Sequence, residues 1–236
     1  WVINGQKMWT STAHKANWLF GLFRTDPDAP KHRGISFLIM DMATTGLSVR
    51  PIVSMGWEHA TNETFYEDVR IPAENVVGEV NRGWYVAMTL LDFERSNIGG
   101  AIGAKRTLKR LLKVVAGDAV LRERLTHSVL RHEIAQRYIE AEVMYQFSMR
   151  ISSMQNRGQL PNDEASMAKL FNSELSQRVA QTAMQVMGLR GQVTEDDGEA
   201  SFGRHYLGMV PATIRGGTSE VQRNVIATRG AGLPRG

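Results

Sequence analysis

Leu90-Leu91-Asp92-Phe93-Glu94-Arg95-Ser96-Asn97-Ile98-Gly99-Gly100 lies inside a proline-free run from about Trp84 to Ala116, with apolar residues at Val86, Leu90, Phe93, Ile98 and Ala101. That spacing predicts a long helix. Leu90 and Leu91 precede Glu94 by one turn, and Ile98 follows it by one. A carboxylate among apolar neighbours loses hydration, so its pKa rises toward the range of a working base. Gly99, Gly100 and Gly103 each cost roughly 1 kcal/mol relative to alanine in a helix interior. Such a cost marks a close approach to the backbone. A surface Glu–Arg pair beside a tight helix crossing accounts for the same residues without chemistry.

Outward from this stretch the chain changes character. Residues 1–80 read as β structure and residues 81–236 as helices. Trp1-Val2-Ile3 runs into Asn4-Gly5, a turn pair, so Gln6–Ser11 is expected to return as the second strand of a hairpin. Further strands are predicted at Trp18–Arg24, Ile35–Met40, Leu47–Val53 and Thr64–Val69. Their spacing, with no helix between them, argues for a small antiparallel barrel or sandwich. Downstream, the first helix is expected to reach Ala116 and a second to run from near Asp118 to Asn156. A third covers Glu164–Met187, followed by short helices at Phe202–Leu207 and Ser219–Thr228. Ser219 and Gln222 have capping-box spacing. The fold class is therefore α+β: an antiparallel β domain followed by an up-down four-helix bundle.

Composition narrows the function. The 236 residues carry a net charge of +4 with basic and acidic residues interspersed. Nucleic-acid binding lacks its basic block. No segment approaches the ~20 apolar residues of a membrane span. The chain has no cysteine, which removes disulfides, thiolate metal sites and a cysteine nucleophile and fits a reducing, cytoplasmic location. It opens on Trp1 rather than methionine, so an upstream part is expected to be missing.

Nucleotide-binding glycine loops, a Walker loop and His-Glu-x-x-His do not occur. The six histidines show no metal spacing; His127 and His132 point to different sides of a helix. The methionines fall mostly at core spacing. Three stretches remain. Trp9-Thr10-Ser11 ends a strand with an indole and two hydroxyls, a wall for a flat heteroaromatic ring or simply a core tryptophan. Gln185-Val186-Met187-Gly188-Leu189-Arg190-Gly191 closes the third helix, where a glycine C-cap explains Gly188. Gly216-Gly217-Thr218-Ser219-Glu220 precedes a helix whose free N–H groups suit an oxyanion, or form an ordinary capped turn.

In this order the stretches resemble the acyl-CoA dehydrogenase family, from Val2-Ile3-Asn4-Gly5-Gln6-Lys7-Met8-Trp9-Thr10-Ser11 to Gly217-Thr218-Ser219-Glu220-Val221-Gln222-Arg223. The family fold is an N-terminal helical domain, a middle β domain and a C-terminal four-helix domain, and this chain is similar to the last two. The resemblance implies FAD as cofactor. It also implies a reaction in which a glutamate takes the pro-R α proton of an acyl-CoA thioester while the β carbon gives a hydride to flavin N5. The product would be a trans-2-enoyl-CoA. By the same resemblance, Trp9, Thr10 and Ser11 line the isoalloxazine, with the Ser11 hydroxyl near N5. Gln185, Gly188 and Gly191 meet the FAD of a neighbouring subunit, and Thr218, Ser219 and Glu220 border the cofactor. The backbone N–H at Gly216 and a flavin ribityl hydroxyl would hold the thioester carbonyl as an oxyanion hole, with Gly217 also on the substrate side.

Most members carry the base just before the Gly-Thr pair, where this chain has Gly216. A minority, typified by isovaleryl-CoA and long-chain dehydrogenases, place it in Asp-x-Glu-Arg on the first C-terminal helix. Asp92-Phe93-Glu94-Arg95 resembles that pattern. Glu94 is then the expected base, Asp92 and Arg95 contact CoA or orient the site, and the acyl chain is branched or bulky. The family's Arg-x-x-Phe-Gly, which grips FAD pyrophosphate, is missing from Gly117-Asp118-Ala119-Val120-Leu121-Arg122. That departure fits a hetero-oligomer with a divided site, as in actinobacterial sterol side-chain breakdown; the expected assembly is a homo- or hetero-tetramer, a dimer of dimers. Electron-transferring flavoprotein is the expected acceptor. The alternatives are a non-catalytic subunit of such a complex and an acyl-CoA oxidase.

Overall fold

A computed structural model describes residues 1–94, 98–126, 129–193 and 201–234, with the side chains of 92–94 and 98 outside that description. The chain forms two compact units, Trp1–Leu91 and Asp92–Gly236.

The first unit contains β1 (Val2–Ser11), β2 (Trp18–Arg24), β3 (Ile35–Asp41), β4 (Leu47–Val53) and β5 (His59–Arg70). These form an antiparallel three-stranded sheet of order β1-β5-β4 and an antiparallel pair β2-β3. Ile3, Leu19, Leu38, Met40, Tyr66, Val69 and Ile71 make its core.

The expected hairpin at Asn4-Gly5 does not form. Residues 2–11 are one strand, and the register against β5 slips between Ile3 and Gly5. The Asn4 amide reaches across instead: its Nδ2 donates to Asp68 Oδ1 at 2.9 Å, and its oxygen accepts from the Asp68 N–H at 2.8 Å. Those bonds, with Gly5 at φ 140° and Asp68 at φ 50°, turn a hairpin signal into a bulge. The local sequence permits both; a twelve-residue partner strand supplies ladder bonds along the whole of β1.

The exit from the sheet is pinned by a polar knot. Thr25 Oγ1 donates to Asn81 Oδ1 at 2.5 Å and lies 2.8 Å from Ser36 Oγ, which accepts from the Asn81 N–H at 2.8 Å. Two residues later α1 (Gly83–Glu94) begins. A Cβ at Gly83 would run into the backbone of Ser36 and Phe37, so glycine lets the helix start directly on β3.

The remaining helices are α2 (Ile98–Gly117), α3 (Ala119–Leu125), α4 (Val129–Asn156), α5 (Asn162–Met187), α6 (Phe202–Met209) and α7 (Ser219–Val225). Helices α2, α4 and α5 pack against one another. One core layer contains Ala101, Leu108, Ala141, Met144, Ile151, Ala168, Leu175 and Val179. A second contains Leu111, Val115, Leu121, Ile134, Ala183, Val186 and Phe202. No helix of the described residues is long and apolar enough to cross a membrane.

The boundaries differ from expectation at three places. Residues 95–97, between α1 and α2, lie outside the described residues, so the predicted continuity there is not described. The expected second helix is interrupted: Thr126, at ψ 121°, leaves helical geometry and caps α3. The last helix gives way after Val225 to a wider-wound π turn at Ile226–Gly230. Its cap is Thr218, whose hydroxyl accepts from the Val221 N–H at 3.3 Å. Ser219 sits inside the first turn and is buried, so the anticipated Ser219–Gln222 box does not form: the cap moves back one residue, and Gln222 Nε2 donates to the Gly216 carbonyl at 3.4 Å instead.

Asp118 starts α3, accepting from the Val120 and Leu121 N–H groups at 2.9 and 3.0 Å. Its other oxygen pairs with Arg190, tying the α3 start to the 3-10 turn Gly188–Gln192.

The glycines of α2 have different origins. A Cβ at Gly100 would collide with the Asn172 amide of α5, whereas Gly99 and Gly103 face no described atom within 4 Å. Gly100→Ala should therefore destabilise the fold by about 1–3 kcal/mol through overpacking, and Gly103→Ala should stabilise it by about 0.5–1 kcal/mol through helix propensity. Urea unfolding of the two variants measures both. The Asp118 carboxyl is held below its ordinary pKa by its bonds to the Leu121 N–H and to Arg190. Its contribution is present above the unfolded value of 3.8 and is lost as pH falls through the lower folded value. Asp118→Ala should speed amide exchange across Gly188–Gln192 at neutral pH and remove that acid-linked loss; equal exchange in both proteins would refute the tie.

Candidate functional site

Trp9 is the most unusual residue of the β unit. It lies in β1 at φ 63°, where the register against β5 shifts between Lys7 and Thr10. A bulky residue at positive φ stores on the order of 1–3 kcal/mol. Core burial does not repay it, because the side chain is 65% exposed. The bulge re-aims the indole outward, as a flat ligand would need. This exposure overturns the reading of a buried core tryptophan.

The two hydroxyls beside it part company. Thr10 Oγ1 turns into the sheet, 3.3 Å from Thr64 Oγ1, which lies 3.2 Å from the Tyr66 hydroxyl. Burial pushes the Tyr66 pKa up. Ser11 is exposed, so of the pair only Ser11 presents its hydroxyl outward.

Asn62 holds this strand end in place and was not anticipated from sequence. It is fully buried. Its Nδ2 donates to the Thr10 carbonyl at 3.1 Å and to His14 Nδ1 at 3.2 Å, and its Oδ1 accepts from His59 Nε2 at 2.6 Å. The two imidazoles stack with centroids 3.8 Å apart. This network needs His14 neutral at Nδ1. Partial burial, then the neighbouring His59 and Lys15, hold the His14 pKa below its ordinary value.

In the helical unit, Gln185 is exposed near the end of α5. Gly188 follows at φ 59° as the expected C-cap, donating its N–H to the Met184 carbonyl. Gly191 is buried in the next turn. Arg124 lies against Gly188, where any Cβ would meet its guanidinium. Arg122 donates to the Ala116 carbonyl. The segment lacking Arg-x-x-Phe-Gly thus directs Arg122 to a local contact.

Gly216 and Gly217 have φ 68° and 96°, the left-handed region that favours glycine. The Gly216 carbonyl accepts from Gln222 Nε2 at 3.4 Å. Beside this turn, between α5 and the start of α7, a cleft of about 420 Å³ is lined by Glu174, Gln177, Arg178, Gln181, Thr213, Ile214, Thr218, Ser219, Glu220 and Arg223. Thr218, Ser219 and Glu220 therefore share one concave wall. Glu220 is held below its ordinary pKa by backbone and Thr218 hydrogen bonds, with Arg223 and Lys169 adding. Arg223 pairs with Glu174 at 2.5 Å, and Arg178 bridges Glu174 and Glu140 at 3.9 and 3.3 Å. Sequence reasoning missed these wall residues because α5 repeats small apolar positions in which Glu174 and Arg178 read as an exposed face.

Asp92 and Glu94 fall in the last turn of α1. Their side chains, and Arg95 entirely, lie outside the described residues. Leu90 and Leu91 are half-buried.

In the β unit, an exposed indole on a strained bulge with an exposed hydroxyl next to it fits a flat ring such as a flavin's; in the helical unit, taken by itself, the Gly216–Gly217 turn packs against the Gln222 side chain. Comparison with known proteins identifies the family. The sequence model of the acyl-CoA dehydrogenase middle domain matches residues 1–69, and that of the C-terminal domain matches residues 81–231. The acyl-CoA dehydrogenase IpdE1 of Mycobacterium tuberculosis is 36% identical over 242 residues, an alignment covering all of this chain and 60% of that protein. Among solved structures, the Tcur3481-Tcur3483 steroid ACAD superposes with a TM-score of 0.88 at 32% identity, covering 100% of this chain and 61% of the other. The ChsE4-ChsE5 complex from Mycobacterium tuberculosis superposes at 0.82 with 33% identity, covering 100% and 62%. The chain thus spans about 60% of the length of these relatives. From the strained indole at one end to the glycine turn at the other, the chain belongs to the acyl-CoA dehydrogenase family.

Proposed function

We propose that this chain carries the α,β-dehydrogenation of an acyl-CoA thioester to a trans-2-enoyl-CoA, with Glu94 as the base. Residues 1–80 are taken as its middle β domain and residues 81–236 as its C-terminal helical domain. FAD, when bound, supplies the acceptor for the β hydride. Trp9 and Ser11 are its wall in the β unit. Thr218, Ser219 and Glu220 border it in the helical unit, and Gln185, Gly188 and Gly191 face the cofactor of a neighbouring subunit. Thr10 contributes through its backbone, since its hydroxyl bonds within the sheet.

The observation that carries the choice of base is the turn at Gly216. Family members that carry the base at this position place a carboxylate where this chain has a glycine at φ 68°, and Arg215 offers no carboxylate. Asp92-Phe93-Glu94-Arg95 is the other family pattern for the base. Gly216 and Gly217 then hold the thioester carbonyl, and Asp92 and Arg95 orient the CoA end. The substrate class is a branched or bulky acyl chain, in keeping with the likeness to a steroid dehydrogenase.

The assembly we favour is a hetero-oligomer that divides the cofactor site between unlike subunits, with electron-transferring flavoprotein as the acceptor. Support comes from Arg122, which bonds to Ala116, and from two similar structures named as pairs of proteins. The same features favour a second reading, a subunit that shapes the complex without performing chemistry.

Glu94→Gln separates the two. In the full chain with its partner, flavin content should be unchanged while the rate of flavin reduction by a bulky acyl-CoA falls by about 10²–10⁴-fold. An unaltered rate would remove Glu94 from the mechanism and leave the structural reading standing. Turnover with oxygen alone, without an added acceptor, would instead mark an oxidase.

A further inference from the structure

Lys169 is the charged residue that the dehydrogenase reading leaves without a task. It lies on the face of α5 shared with Ala165 and Ala168, and it is 9% exposed. Its ammonium has no hydrogen-bond partner among the described residues. Buried ammonium groups are rarely left so, because the lost hydration must be replaced by a charge or an acceptor. The side chain ends at the Gly216–Gly217 turn: a Cβ at Gly216 would lie 3.9 Å from Lys169 Cε. Two further buried polar atoms near this turn, Ser219 Oγ and Gln222 Oε1, also lack partners.

We propose that Lys169 is a positioning residue for the thioester, its buried ammonium lying beside the Gly216–Gly217 turn and stabilising the negative charge that gathers on a carbonyl held there. This rests on the dehydrogenase reading. In the step it assists, the α C–H bond breaks, its proton passes to the Glu94 carboxylate, and its electron pair delocalises onto the thioester oxygen. A fixed positive charge near that oxygen favours the enolate over the neutral thioester, which lowers the energy of the charge-developing state more than that of the ground state.

The neighbouring charges decide whether the ammonium can do this. Burial, and then Arg215, lower the Lys169 pKa, while the carboxylates of Glu174 and Glu220 act to raise it. Arg215 also carries a positive charge near the turn, but it is exposed and its field is screened by water and salt. Lys169 is buried beside the turn, so its field reaches the turn through protein rather than through water. A lysine with only a structural task would instead be expected to spend its three donors on nearby carbonyls.

The test reads the acidity of a bound thioester rather than turnover. Acetoacetyl-CoA has an acidic C2 hydrogen, and its enolate absorbs in the near ultraviolet, so its ionisation can be titrated on the full-chain complex. The unmodified complex should bind it with its apparent pKa lowered relative to free solution. Lys169→Met should raise that bound pKa by about one pH unit, a tenfold weaker ionisation, and Lys169→Arg should return most of the shift. If Lys169→Met binds the probe and ionises it as the unmodified complex does, the inference fails and the dehydrogenase reading survives. If Lys169→Arg, folded to the same melting temperature, behaves like Lys169→Met, the charge is not the agent and the inference fails likewise. If the unmodified complex neither binds nor acidifies the probe, the dehydrogenase reading fails and takes the inference with it.

Discussion

The helical unit is built on the burial of α5. Ala165, Ala168, Leu175, Val179, Ala180, Ala183 and Val186 are all at most 1% exposed, and the helix touches α2, α3, α4, α6 and α7. A helix covered on so many sides must carry small side chains where neighbours come close, since each added methylene there would be overpacked. The alanines of α5 meet that constraint from within, and Gly100 meets it from the α2 side against Asn172. The close approach inferred from the glycine-rich start of α2 is real at one of its glycines and is made by the protein itself.

The same constraint sorts the polar residues of α5. A buried serine can satisfy itself by donating to a carbonyl one turn back, as Ser166, Ser173 and Ser176 do toward Asn162, Leu170 and Asn172. A lysine stem is too long for that, and Lys169 Nζ, like Asn172 Oδ1 on the same helix, is buried without a hydrogen-bond partner among the described residues. Glu174 and Arg178, one and two turns further, settle into an ion-pair chain with Glu140 and Arg223. The polar residues of α5 thus include self-bonded serines, a paired network along the cleft, and an ammonium at the glycine turn.

Much of this was legible before the structure. Four of the five strands were expected as separate elements close to where they lie, because alternating apolar residues and turn clusters are local signals. The third helix was expected within two residues of its observed start, and the Gly188 cap was read correctly. What failed depended on distant partners. Asn4-Gly5 carries a hairpin signal, yet the pairing of β1 with β5 overrides it, and nothing near residue 4 announces Asp68. Thr218 and Ser219 are equally good caps by composition; the choice follows from which hydroxyl the packing of α7 leaves outside. Asn62 and Lys169 were missed because a polar residue declares its importance only once its burial is known. Lys169 did leave a trace, since it repeats the spacing of Ala165 at the interval that keeps a residue on the buried face.

The backbone at residue 216 limits which residue can stand there. At φ 68° an L-amino acid with a side chain is strained, and glycine is not. A turn held in this shape, with its carbonyl bonded to Gln222, disfavours any side chain at its first position through backbone strain alone, since a Cβ there would meet only Lys169 Cε at 3.9 Å. On the proposed reading, proton abstraction then falls to Glu94 of α1, a helix whose start is fixed on β3 by Gly83 and by the Thr25–Ser36–Asn81 knot.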